Sequence, residues 1–407
     1  MLSLLNQLVN SGGNFAVNIY LARSLSLADF GIYGICYGIC MLYVGIGNAI
    51  ILTQMVVNMA DKPAAEKERY ATRMLQATAL LGALTLLLTG MVLLAIRWVA
   101  PELSRVFPTA LIVMCASVFF LGKEFFIRYA YLHRKEALAI GVSSTVVLVL
   151  CCGLAFDHVT GVTLTSDKVL LLFAAGAAAG TLVGYMATPM RIFRRIPALL
   201  PDLIEAWRHG RWALGGVGVT WLQSQTYTYI LALFIGPAAV GQANAARIFI
   251  SPFSFLLPAI NQIMMPRLVD LRESNRQQMF RVAATITGGL WLLAALYGAV
   301  LLSNLDSVAR LVLGRDDVGV VSLVWIWCVV VLNQMLLNGG SMQLQVLRRF
   351  RTLTLLSALS AVVTITAAFV LIRLLGMSGA IWAVGLGETL LCILIWKEIR
   401  RDRIRTD

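Results

Sequence analysis

The sequence predicts an all-α integral membrane protein of about twelve transmembrane helices, set as two six-helix lobes around a central cavity with both termini cytoplasmic. Three observations predict it. The 407 residues are 59% hydrophobic and only 13% Asp, Glu, Lys or Arg, against roughly 25% charged in an average soluble domain, so a water-soluble globule is excluded. Apolar stretches of bilayer length recur through the whole chain; about twelve helices of about 21 residues use roughly 250 residues and leave no room for a second domain. The Lys and Arg are segregated to alternate loops. The formal charge of +13 therefore has no folded soluble region on which to form a nucleic-acid surface, and nucleic acid is not expected as a partner.

In chain order, the first half has apolar spans near residues 4–22, 31–57, 74–96, 109–132, 137–156 and 169–190. The first starts almost at Met1 and contains polar Asn6, Gln7 and Asn10; with no basic leading region it reads as a retained span, not a cleaved signal peptide. The second opens at Phe30-Gly31, and the third and fifth rest on apolar length alone. The fourth holds Lys123, Glu124 and Arg128. In the sixth, Gly176, Gly180 and Gly184 are spaced by four, which lets helices approach closely. A basic segment follows, where Arg208 and Arg211 precede Trp212 and suit an amphipathic surface helix.

The second half has spans near 212–235, 240–264, 282–303, 318–341, 353–373 and 378–397. Pro258 and Pro266 are candidate kinks in the eighth. The ninth and eleventh again rest on apolar length; the tenth and twelfth carry polar residues considered below. The organisation is then an N-terminal lobe over 1–192, a cytoplasmic segment over 193–211, a C-terminal lobe over 212–397 and a basic tail over 398–407. Loops after even-numbered spans, with the tail, hold most of the 33 Lys and Arg, which puts both termini in the cytoplasm. Contact with anionic membrane lipid is a by-product of that bias.

The halves echo each other at an offset of about 210 residues. Phe30-Gly31, opening the second span, corresponds to Val240-Gly241, opening the eighth, and Asn48 corresponds to Asn261. Six plus six spans in one orientation imply lobes related by an axis along the membrane normal. The seven cysteines fall within or beside apolar spans and read as small packing residues. His133, His158 and His209 lie in loops, so neither a metal nor a cofactor site is expected.

Several short motifs carry a resemblance. Asn14-Phe15, Leu21-Ala22-Arg23-Ser24-Leu25 and Asp29-Phe30-Gly31-Ile32-Tyr33 resemble the first hairpin of Wzx-type polysaccharide flippases, a branch of the multidrug/oligosaccharidyl-lipid/polysaccharide exporter superfamily. Glu124 to Tyr131, Trp221 to Gln225 with Gly236, Pro258 to Asn261, and Pro266-Arg267 are similar to the same branch. With the span count and half-repeat, the resemblance covers nearly the whole chain. It implies a bacterial inner-membrane transporter that moves a polyprenyl-pyrophosphate-linked oligosaccharide outward by alternating access. It also implies glycosyltransferases and a polysaccharide polymerase as pathway partners.

Independently of family, intramembrane polar groups are costly and mark function or helix contacts. Asn6, Asn10, Asn14 and Asn18 recur every four residues on one face of the first span, and Thr220, Ser224 and Thr228 do so in the seventh. In the eighth, Asn244, Arg247, Ser251, Ser254, Pro258 and Asn261 form one continuous face containing a cation; in the tenth, Gln334, Asn338, Ser341 and Gln345 follow the same spacing. These stripes either line a path or bond helices to one another. Arg247 lies about 10 Å and Lys123 about 22 Å below the periplasmic starts of their helices, two depths that suit passage of an anionic group. Glu124 is four residues from Arg128, the spacing of an internal ion pair. Glu388, near mid-membrane, is expected to pair with Lys123 or Arg247, to couple to a proton or sodium ion, or to be a protonated carboxyl hydrogen-bonded to a neighbouring helix. Asn, Gln, Ser and Thr suit sugar hydroxyls and cations suit a diphosphate.

Two other functions compete with the flippase. A cation-coupled multidrug exporter favours an acidic cavity site, yet the first and seventh spans contain no Asp or Glu. A membrane glycosyltransferase or O-antigen polymerase needs positioned acid or base groups facing the periplasm, and no paired carboxylates or nucleophile motif appear, so no catalytic residue is assigned.

Overall fold

The computed structural model describes residues 2–60, 62–192, 199–314 and 318–404. These residues are helical with short turns and contain no strand, as suits segments that satisfy their own backbone polar groups in lipid. Among them, nine helices are long and apolar enough to cross a bilayer, or ten with one bent pair counted as a span. The chain is a multi-pass membrane protein. Inter-residue contacts divide it into two compact units, Met1–Asn18 with Ile32–Val217, and Ile19–Gly31 with Gly218–Asp407.

In chain order come α1 (Leu2–Ser24), α2 (Leu27–Gly47), α3 (Thr53–Ala60), α4 (Ala64–Val99), α5 (Phe107–Leu132), α6 (Glu136–Thr160), α7 (Ser166–Met186) and α8 (Leu199–Phe234); the first unit holds α3 to α7 with α1 up to Asn18, α2 from Ile32 and α8 up to Val217, and the rest of α1, α2 and α8 belongs to the second. Ser26 starts α2: its Oγ accepts from the Asp29 amide at 3.0 Å and donates to the Asp29 carboxylate at 2.6 Å, occupying an otherwise orphaned helix donor. A π turn at Asn48–Leu52 joins α2 to α3. The core packs Leu52, Met55, Tyr70, Met74, Leu121, Phe125 and Phe126. The glycine stripe on α7 packs against α6 and α5: a Cβ on Gly180 would lie 2.9 Å from Val146 Cγ2, and one on Gly184 would overlap Phe126. Of the segment between residues 193 and 211, residues 193–198 lie outside the described residues and 199–211 already belong to α8. There Arg73 of α4, 7% exposed, forms an ion pair with Asp202, 8% exposed.

The second unit contains α9 (Pro237–Ile248), α10 (Ser251–Ser274), α11 (Arg276–Ser303), α12 (Leu305–Leu313), α13 (Val318–Val346), α14 (Phe350–Leu375) and α15 (Met377–Ile404). The eighth apolar stretch is not one straight helix: α9 and α10 meet at a bend of 55°. Pro252 explains it, since it lacks an N–H and its ring blocks the carbonyl four residues back, which belongs to Ile248, the last residue of α9. Pro258 and Pro266, the kinks expected from sequence, lie within the continuous α10. Between the ninth and tenth apolar stretches lies α12, a short amphipathic helix.

Gly31 and Gly241 meet reciprocally in this unit. A Cβ on Gly31 would overlap the carbonyl oxygen of Pro237, and one on Gly241 would overlap that of Leu27. Leu27 and Pro237 are the first residues of α2 and α9, so each glycine faces the opening turn of the other helix. Another repeated feature is the turn after α5 and after α13. Arg134 and Arg348 have φ of 54° and 58°, and the amides of Lys135 and Arg349 donate to the carbonyls of Ala130 and Leu344, each at 2.8 Å.

Candidate functional site

Within the first unit, one face of α5 carries Phe120, Lys123, Glu124, Ile127, Arg128 and Tyr131 at steps of one, three or four residues. With Tyr37, Met41 and Val44 of α2 and Asn14 of α1, it lines a cavity of about 470 Å³. Lys123 is 7% exposed; its Nζ lies 3.0 Å from Glu124 Oε1 and 5.0 Å from the centre of the Phe120 ring. The expected Glu124–Arg128 pair is thus replaced by Lys123–Glu124. The long lysine stem covers the Phe120 ring, which brings the ammonium to its neighbour's carboxylate. Arg128 Nε is buried with no hydrogen-bond partner. The cavity holds two cations and one acid.

The second unit has its own polar interior. Arg247 lies over the Trp327 ring at 5.5 Å, the Trp327 indole donates to the Ala243 carbonyl at 3.2 Å, and Tyr227 packs edge-on against Trp327 at 6.1 Å. Glu388 accepts from Gln334 Nε2 at 2.9 Å. Among the described residues of this unit, Glu388 thus shows an amide hydrogen bond and no direct pair with Arg247, whose guanidinium lies over Trp327. Glu388 Oε2 and Tyr227 Oη are buried without partners, a state that costs about 1 to 3 kcal/mol per group. Gln223 donates to Ser360 Oγ at 3.0 Å, and Ser360 donates to the Gly387 carbonyl at 2.7 Å.

The remaining candidates are less concentrated. Asn14 lines the first cavity. Asn18 turns its amide back to the Asn14 carbonyl at 2.8 Å, a local bond that consumes one donor. The side chain of Asn10 lies outside the described residues, as does that of Asn6. Thr228 is buried, while Ser224 and Asn244 are half-buried. Ser251 donates to the Arg247 carbonyl at 3.1 Å, beyond the bend, so the eighth-span stripe is two faces rather than one. Asn261 and Asn338 exchange reciprocal amide bonds of 2.9 and 3.1 Å, which makes this pair helix-bonding residues. Trp327 lies outside the polar stripes; its signal is its place, with Trp325, in an otherwise aliphatic run of α13.

No family model matches the sequence, and no curated protein sequence matches it. Solved structures do. The lipid II flippase MurJ in an inward closed conformation aligns with a TM-score of 0.75 at 9% identity, covering 98% of this chain and 86% of that one. An inward-facing multidrug resistance MATE family transporter of the MOP superfamily aligns at 0.75 and 12% identity, covering 98% and 96%. The MATE multidrug transporter DinF-BH aligns at 0.65 and 15%, covering 99% and 94%. Over nearly its full length, the chain has the fold that these MOP-superfamily transporters share.

Proposed function

We propose that the protein is a flippase that moves a polyprenyl-pyrophosphate-linked oligosaccharide from the inner to the outer leaflet of a bacterial plasma membrane by alternating access. The cargo would serve surface-polysaccharide biosynthesis, O-antigen, exopolysaccharide or capsule. The observation that carries the reading is the charge of the α5 cavity, where Lys123 and Arg128 outnumber Glu124. Such a surplus favours an anionic headgroup over a cationic drug. The second unit has a cation of its own in Arg247, over Trp327. Asn10, Asn14, Asn18, Ser224, Thr228, Asn244 and Ser251 offer donors and acceptors for sugar hydroxyls. The lipid chain stays in the bilayer, the basic loops and both termini face the cytoplasm, and glycosyltransferases and a polymerase act before and after the transfer.

The test is deletion followed by determining which leaflet holds the lipid-linked oligosaccharide. Accumulation in the inner leaflet supports the flippase, whereas an unpolymerised product already outside contradicts it. A second reading, cation-coupled multidrug export, draws on Glu388, whose buried carboxyl oxygen without a donor suits a proton or cation. Loss of drug efflux with unchanged lipid sidedness would favour it.

A further inference from the structure

The geometry points to Arg128 as the docking cation for a phosphate or diphosphate group in the α5 cavity, with Glu124 as an internal counter-anion that keeps Lys123 occupied until that group arrives. The inference rests on the flippase reading for its cargo but concerns how the site is loaded. Lys123 and Arg128 are not equivalent. Lys123 is buried against Glu124 and Phe120, so its charge is already partly spent. Arg128 lines the same cavity and forms no ion pair among the described residues, so its charge is not committed to an acid as that of Lys123 is. A guanidinium fork also suits two phosphate oxygens at once.

Glu124 lies four residues from Arg128, one turn along α5, and next to Lys123. A phosphate seated on Arg128 would repel this carboxylate and compete with it for the Lys123 ammonium. Loading would then transfer Lys123 from Glu124 to the ligand, and release would restore the resting pair. The cavity volume of about 470 Å³ is in the usual range of ligand pockets, about 300 to 1,000 Å³.

The test measures inorganic pyrophosphate binding to the full-length protein in nanodiscs by titration calorimetry at low salt. Arg128→Gln is expected to weaken binding roughly tenfold or more, and Arg128→Lys to recover part of the loss. Glu124→Gln is expected to tighten binding several-fold, a gain that misfolding cannot produce. Pyrophosphate binding unaffected by Arg128→Gln, or weakened by Glu124→Gln, overturns the proposal. Nanodiscs doped with a polyprenyl diphosphate identify the source: displacement of pyrophosphate supports a lipid headgroup, and undiminished binding supports a soluble polyanion at the same site. The second outcome keeps the anion site while removing support for the flippase, so the two claims fail separately.

Discussion

Substituting Gly31 or Gly241 by Ala tests how α2 and α9 cross. A Cβ on Gly31 would lie 2.7 Å from the Pro237 carbonyl carbon and 2.9 Å from the Gly241 nitrogen, where ordinary contacts begin at 3.4 Å. The nearest obstacle, the Pro237 carbonyl oxygen, is overlapped outright, so the two backbones must part by more than the roughly 0.7 Å by which the 2.7 Å distance falls short of 3.4 Å. Because the obstacles are backbone atoms, no rotamer change can relieve them, and the cost falls at the upper end of the usual overpacking range, about 1 to 3 kcal/mol. The reciprocal geometry adds a sharper expectation. Once Gly31→Ala has separated the helices, Gly241→Ala meets less obstruction, so the double variant should destabilise less than the two single effects together. Thermal unfolding of the four proteins in detergent measures both quantities. Wild-type stability in the single variants would refute the close approach, and strict additivity would refute its shared character.

Other contacts give independent tests. Asn261→Ala and Asn338→Ala should each destabilise, with a coupling energy of about 0.6 to 1.7 kcal/mol in a double-mutant cycle; zero coupling would contradict the reciprocal amide bond. Asp202→Ala leaves the buried Arg73 guanidinium with Glu66 alone, 3.8 Å away, and should cost about 3 to 5 kcal/mol by thermal unfolding; the Asp202→Ala/Arg73→Ala double variant should recover part of that. Arg247→Ala should lower transport while leaving membrane insertion and yield unchanged, and full transport activity would remove Arg247 from the path.

The helices were largely legible because bilayer length and apolar composition are properties of continuous segments. The stretch read as 109–132 is α5, Phe107–Leu132, and most other helices differ from their apolar stretches mainly by extending beyond them. What was not legible depends on single residues overriding a pattern. The three-to-four spacing from Asn244 to Asn261 continues through the α9–α10 bend, since the periodicity does not register that Pro252 removes a backbone donor. The start of α8 near Leu199 was hidden because its first turns are polar and charged, and apolar length finds only the membrane-spanning part.

The candidate site divides in the same way. The α5 face can be read directly from helical spacing, whereas Asn14, Tyr37, Met41 and Val44 join it from two other helices that only the fold brings together. The Lys123–Glu124 pair was missed because neighbouring residues on a helix diverge and the spacing rule favours position i+4; the contact exists because the flexible lysine bends over Phe120. Glu388 was recognised as an intramembrane carboxyl, and Gln334 as part of a polar stripe, but their bond joins α13 to α15 and has no local sequence signal.

The central claim is tested most directly by reconstituting the purified protein in liposomes with a fluorescent polyprenyl-pyrophosphate oligosaccharide and following its accessibility to an impermeant quencher. The flippase account predicts protein-dependent transfer between leaflets that is lost in the Lys123→Ala/Arg247→Ala double variant. Transfer no faster than in protein-free liposomes, or equal in wild type and double variant, would contradict it.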